Sequence, residues 1–235
     1  RPAAKGVWSI VVAAGSSTRF GSDKLWTLLG GRRVVEWSVR AAAAVSEGIV
    51  VVVASDHRQE AEAAARSWVQ GTQPLAVVVG GATRAESVRR GLEAVPNDVP
   101  VIVVHDGARP LASVELFASV VSALSDGAAA AVPGVPLTDT VKEVAGGLVS
   151  STPDRERLIA VQTPQAFDAS VLRRAHAGEP DATDDAGLVE RLGLPVAVVN
   201  GEPENLKITR RVDLVVAEAL LAGNLAASIA GASGS

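Results

Sequence analysis

The chain has 235 residues, 48% hydrophobic and 20% charged, enough for one sizeable α/β domain. A net charge of −4 excludes a basic field for nucleic acid or an anionic membrane, so any anion site must be local. Without cysteine there are no disulfides, thiol catalysis or cysteine-ligated zinc, and His57, His105 and His176 show no metal-ligand spacing.

The first apolar run, Val7–Ala13, reads as a buried strand. It breaks at Ala13-Ala14-Gly15 into a loop that carries Arg19 and Lys24. Small residues let backbone N–H groups approach a polyanion, and two cations can neutralise it. That pattern points to a nucleotide triphosphate site; the alternative is a polar loop with two solvated cations. The loop fits neither G-x-G-x-x-G nor G-x-x-x-x-G-K-[ST]. Next come a helix over Val34–Ser46, a strand over Ile49–Ala54 and a helix capped by Ser55-Asp56 and running to Gln70. Leu75–Val79 reads as a strand, followed by Gly80-Gly-Ala-Thr-Arg-Ala-Glu-Ser87. The glycines permit close approach to a flat base and Ser87 can hydrogen-bond it; alternatively Gly80-Gly81 is a turn and Ser87 a helix-interior serine. Thr83 or Arg84 opens a helix over Ala85–Ala94, and a strand follows over Val99–Val104.

His105-Asp-Gly-Ala-Arg-Pro110 comes directly after that strand. An acid there, Asp106, can hold ribose or substrate hydroxyls or a hydrated metal, or it can cap a helix or turn. Arg109 can approach a phosphate, or pair with Asp106 as a structural ion pair. Strand and helix in alternation predict an α/β fold: one three-layer, Rossmann-like, mostly parallel sheet with right-handed crossovers. Ligands on such sheets bind outside the carboxyl ends of the strands, where these three motifs fall.

Ala128–Val132 reads as a further core strand. Thr140–Val144 and Leu148–Thr152, joined by Ala145-Gly-Gly147, read as a hairpin too poor in apolar residues to bury itself. It projects as an arm over about 134–159, either against a second subunit or as a surface hairpin. Helices are expected over Asp168–His176, Thr183–Leu192 and Arg211–Ala222, with a strand over Val196–Val199. One domain spans 1–226, and 227–235 is expected to be a disordered tail. Arg1 opens a chain with no methionine, so the natural start is expected upstream. No basic, apolar leader is visible and the apolar runs are too short to span a bilayer, so a cytoplasmic location is expected.

With Thr138-Asp-Thr-Val-Lys142, Gln162-Thr-Pro-Gln-Ala-Phe167, Ala182-Thr-Asp-Asp-Ala186 and Asn205-Leu-Lys-Ile-Thr209, these motifs closely resemble 2-C-methyl-D-erythritol 4-phosphate cytidylyltransferases, from about Val7 to Leu221. The resemblance implies a nucleotide-diphospho-sugar transferase fold and CMP transfer from CTP to the polyol phosphate. It implies a triphosphate cradle of Ala13, Ala14, Gly15, Arg19 and Lys24, and a base site with Gly81 and Ser87. Asp106, Arg109, Thr163 and Thr183 would serve the polyol phosphate, and Lys207 the reacting phosphates. Thr140 and Arg155 would reach that phosphate from the arm of the other subunit of a homodimer. Magnesium would ride mainly on the CTP phosphates, with no dedicated carboxylate cage. The chain departs from the usual pattern at Asp23-Lys24-Leu25, where the family usually reads proline-lysine-glutamine, at Gly107, and at Ala82, which can offer the base only backbone. The alternatives are a ribitol 5-phosphate cytidylyltransferase and a non-catalytic nucleotide-binding protein on the same fold.

Overall fold

The structure, a computed structural model, describes residues 6–15, 23–69, 71–178 and 182–232, apart from the side chains of 126 and 224–232. In chain order the elements are β1 (Val7–Ala13), β2 (Leu28–Leu29), β3 (Arg32–Arg33), α1 (Val34–Ala43), β4 (Gly48–Val53), α2 (Arg58–Trp68), β5 (Leu75–Val79) and α3 (Arg84–Glu93). There follow β6 (Val101–Asp106), α4 (Val114–Ala123), β7 (Ala130–Pro136), β8 (Glu143–Ala145), β9 (Leu148–Ser151), β10 (Ile159–Val161) and β11 (Gln165–Asp168). Then come α5 (Ala169–Ala175), α6 (Asp185–Arg191), β12 (Val196–Asn200) and α7 (Arg211–Ala232).

Eight strands form one sheet in the order β10-β7-β11-β6-β1-β4-β5, with β12 paired to β7. Pairs β1–β4, β1–β6, β4–β5 and β7–β12 are parallel, and only the pairings of β10 and β11 are antiparallel. The expected mostly parallel fold is therefore present. Valine-rich strands suit it because both sheet faces are covered, and every residue of β4 is buried. Alternation sends Val11, Val51 and Val103 to a core shared with α1, α2 and α4. Ile10, Val50, Val52 and Val104 enter a second core against α3, α5 and α6. Four helices start where a side-chain oxygen accepts an N–H three residues on: Thr83 for α3, Ser113 for α4, Asp168 for α5 and Asp184 for α6.

Several boundaries differ from the sequence reading. β6 starts later and continues through His105 to Asp106, so the acid is the last strand residue rather than part of the loop. Ser55 and Asp56 form a short 3-10 turn ahead of α2 and make no side-chain cap. The hairpin keeps its two-glycine turn, with φ of 58° and 79° at Gly146 and Gly147, but pairs only β8 with β9, all of whose residues are exposed. α7 runs to Ala232, past the expected helix end at Ala222 and the expected start of the tail at 227. α4, β10 and β11 were not anticipated. Among the described residues no helix is long and apolar enough to cross a membrane.

Candidate active site

The segments that leave β1, β5 and β6 line one cavity of about 500 Å³. Its walls include Ala14, Gly15 and Lys24 from the first loop, Gly81 to Arg84 and Ser87 around the start of α3, and Asp106, Lys207 and Thr209. The loops come this close because Gly80 has no side chain: a Cβ there would sit 2.2 Å from that of Ala14. Ser87 fixes the turn, since its Oγ accepts from Gly81 N–H at 3.1 Å and donates to the Thr83 carbonyl at 2.9 Å. The N–H of Ala82 donates to Glu86 at 2.8 Å.

A second cavity of about 250 Å³ adjoins it, lined by Arg109, Gln162, Thr163, Thr183 and Asp184. Arg84, Asp106 and Lys207 line both cavities and form their common wall. Lys207 is carried there by Ile208, which is wholly buried and donates its N–H to the Ala108 carbonyl at 2.8 Å. Lys207 Nζ donates to Asp106 Oδ2 at 2.7 Å. Arg84 Nε donates to Asp106 Oδ1 at 3.2 Å, and its Nη1 to Asp185 Oδ2 at 2.7 Å. Behind them the buried ring of His176 places Nε2 2.9 Å from Asp185 Oδ1.

Burial opposes the charge on Asp106, yet the charges of Arg84 and Lys207 outweigh it and hold its carboxyl well below the usual range. Asp185 is likewise held low, burial being overcome by Arg84 and by hydrogen bonding to His176. Arg84 is desolvated too, but its two carboxylates keep it firmly protonated. The common wall is thus a fixed array of charges. Such an array stabilises charge that develops in a reaction without reorganising.

Asp106 is also held through its backbone. Its N–H donates to Thr163 Oγ1 at 3.0 Å, and that oxygen lies 3.1 Å from His105 Nδ1. His105 Nε2 lies 3.2 Å from the Arg109 carbonyl, which can only accept. One tautomer satisfies all three contacts: Nε2 carries the proton and Nδ1 accepts from Thr163. Burial keeps this imidazole neutral and pushes its pKa down to about 4.

Of the residues singled out from sequence, Ala14, Gly15, Lys24, Gly81, Ser87, Asp106 and Lys207 meet in the larger cavity. Arg109, Thr163 and Thr183 join Asp106 and Lys207 in the smaller one. Ala13 turns into the core, 3% exposed. Arg19 lies outside the described residues. Thr140 and Arg155 are exposed and line neither cavity; Arg155 donates to the Thr138 carbonyl at 2.6 Å at the base of the hairpin. Arg109 makes no direct salt bridge to Asp106, although its charge helps to hold that carboxyl down, and it donates to the Asn205 carbonyl at 2.7 Å. Arg84, Asp185 and His176 were missed as site residues. Arg84 stood inside a quoted motif, but its partners come from distant parts of the chain.

The model of the 2-C-methyl-D-erythritol 4-phosphate cytidylyltransferase family, IspD, matches residues 7–223. The Streptomyces coelicolor protein of that name is 46% identical over 228 residues, covering 91% of this chain and 84% of its own. The bifunctional enzyme IspD/IspF of Nitratidesulfovibrio vulgaris is 46% identical over 227 residues, 90% of this chain, which spans 57% of that relative's length. Among solved structures, the Thermus thermophilus cytidylyltransferase aligns with a TM-score of 0.72 at 35% identity, covering 90% of this chain and 97% of the other. The 4-diphosphocytidyl-2C-methyl-D-erythritol synthase of Anaerococcus prevotii aligns with a TM-score of 0.79 at 31% identity, covering 92% and 97%. The family match begins at β1, ends within α7 and takes in the linings of both cavities. The chain therefore belongs to the 2-C-methyl-D-erythritol 4-phosphate cytidylyltransferase family.

Proposed function

We propose that this chain transfers CMP from CTP to 2-C-methyl-D-erythritol 4-phosphate and releases pyrophosphate, a step of non-mevalonate isoprenoid precursor synthesis. The observation that carries this reading is the wall of Arg84, Asp106 and Lys207 common to both cavities. Transfer between two polyanions needs adjoining subsites with cations at their junction. The larger cavity has a volume suited to a nucleotide, and the smaller one takes the polyol phosphate.

An oxygen of the substrate phosphate forms a bond to the α-phosphorus as the bond to the pyrophosphate oxygen breaks, in line. A phosphate monoester dianion is already a nucleophile, so the residues have no proton to remove. Their task is to bring like charges together. In this reading Lys24 and Arg19 face the triphosphate, while Gly81 and Ser87 flank the base. Lys207 faces the reacting phosphates, and Asp106 accepts from a polyol hydroxyl. Arg109 and Thr183 line the polyol side, and Thr163 fixes Asp106. Among the described residues no three His, Asp or Glu side chains gather to hold a metal ion. The carboxylate at the common wall is already bonded by Arg84 and Lys207. Magnesium is therefore proposed to enter with CTP, held by phosphate oxygens, and to supply charge neutralisation there.

We further propose a cytoplasmic homodimer whose hairpins exchange, so that Thr140 and Arg155 complete the partner's smaller cavity. Their exposure, and their absence from the linings of both cavities of their own chain, support this. The test is pyrophosphate release from CTP and magnesium with methylerythritol 4-phosphate or ribitol 5-phosphate. Release with the first alone is expected. Release with ribitol 5-phosphate alone would reassign the acceptor, and release with neither would reject the activity.

A further inference from the structure

Lys24 lines the larger cavity from a five-residue turn, 23–27, that is fastened at several points. Asp23 accepts through its backbone carbonyl from Trp26 N–H at 3.2 Å and from Thr27 Oγ1 at 3.1 Å. Its Oδ1 accepts from Leu25 N–H at 3.2 Å. The other carboxylate oxygen is held by His57 Nε2, from the turn between β4 and α2. The His57 ring also stacks on Trp26, with centroids 4.5 Å apart and planes 16° from parallel. Trp26 in turn packs on Trp68, and the Arg33 guanidinium lies 5.1 Å from its ring centroid. Glu60 pairs with Arg33 and places a carboxylate oxygen 3.5 Å from His57 Nδ1. His57 therefore touches both ends of the turn: the carboxylate before Lys24 and the ring two residues after it.

We propose that His57 is a positioning residue for the nucleotide reaction, holding Asp23 and Trp26 so that Lys24 points into the triphosphate half of the site. The proposal rests on the nucleotidyl-transfer reading of that cavity. A lysine side chain is long and flexible, so the direction of its ammonium depends on how firmly its backbone is fixed. Misplacement by about 1 Å at a reacting centre can cost on the order of 100-fold in rate. Asp23 cannot hold the turn alone, because one of its oxygens serves Leu25 within the turn and only the other reaches out to the β4–α2 junction.

The test has a chemical and a kinetic part. In the wild-type protein, CTP with magnesium should slow acetylation of Lys24 and Lys207 by acetic anhydride, read by mass spectrometry of the digest. In His57→Ala the protection of Lys24 should be lost while that of Lys207 persists. His57→Gln, which keeps one N–H for Asp23, should recover most of it. In the pyrophosphate assay His57→Ala should lower kcat about tenfold with both KM values little changed, and cause no further loss in a Lys24→Ala background. Wild-type protection of Lys24 in His57→Ala, loss of protection at both lysines, or a kcat effect that persists undiminished without Lys24 would each overturn the proposal. Protection of neither lysine in the wild type would overturn the nucleotide reading and the proposal with it. Lysine protection without turnover of the polyol phosphate would reject only the acceptor, and Lys24 protection in His57→Ala would still decide the proposal.

Discussion

Lys207 spends one of its three N–H donors on Asp106, which leaves two for a ligand entering at the common wall. In the proposed reaction Lys207 at that wall and Lys24 in the larger cavity would serve charge that builds as the bond to pyrophosphate breaks, so removing either cation should fall on turnover rather than on binding. Lys24→Ala and Lys207→Ala are each expected to lower kcat by about 100- to 1000-fold, or roughly 3–4 kcal/mol. CTP affinity by calorimetry should change by about tenfold or less. A near-normal kcat in either variant would remove that lysine from the reacting phosphates. His105 makes a separate prediction about stability. The unfolded chain protonates this ring near pH 6.5, whereas the folded protein keeps it neutral down to about 4. Between those values the unfolded state binds the extra proton, so stability is full above 6.5 and is lost as pH falls towards 4. The effect is on the order of 3 kcal/mol. His105→Gln can still donate to the Arg109 carbonyl, and its urea midpoint should change much less than the wild type's between pH 7 and pH 4.5. Equal slopes would mean that His105 is not the group responsible.

α3 shows how one element sets both packing and chemistry. Its first two turns deliver Arg84 and Ser87, and its later part lies on β1 and β4 through Gly91. A Cβ at Gly91 would come within 2.6 Å of Ile10 and 3.1 Å of Val52, both wholly buried. Gly91→Ala gains about 1 kcal/mol of helix propensity but overpacks a core that yields little, at about 1–3 kcal/mol. Net destabilisation is expected in urea unfolding and, on the proposed reading, a raised KM for CTP, because Thr83, the cap of α3, lines the larger cavity. A variant of equal or greater stability would mean that α3 can lift off the sheet freely. The elements also explain what the sequence let one read. β1 and β5 have the expected bounds because each is a short valine-rich, mostly apolar run between small or turn-forming residues. α4 escaped because its polar face is weak: Glu115, Ser119 and Ser122 recur at helical spacing, but only Glu115 is charged in a run that is otherwise apolar. β10 and β11 are only three and four residues long, and their partners β7 and β6 lie elsewhere in the chain. The glycine-rich segments announced a cavity because close backbone approach is written into residue type. Arg84 did not announce itself, since its partner Asp185 is 101 positions away and ion pairs of that span belong to tertiary structure.

At the scale of the molecule, the cavities sit against the ends of parallel strands while the hairpin stands apart with its apolar residues uncovered. Val144, Leu148 and Val149 are 64%, 76% and 62% exposed, in a two-stranded sheet that pairs with nothing else among the described residues. Two strands of this kind are marginal in water by themselves. The proposed arm exchange would cover them and would make each site a composite of two chains. Composite sites permit a test that sedimentation alone does not. Lys24→Ala destroys the site in its own subunit. Arg155→Ala, if the arm crosses over, destroys the site in the partner. A mixed dimer of the two variants then has one site lacking both residues and one site with both intact. Random assortment makes about half of the dimers mixed, so a refolded equimolar mixture should recover about a quarter of wild-type activity while each parent alone stays nearly inactive. If Arg155 served the site of its own chain, every site in every dimer would lack one residue. Activity of the mixture would then equal the average of the parents, and the exchange of arms would have to be given up.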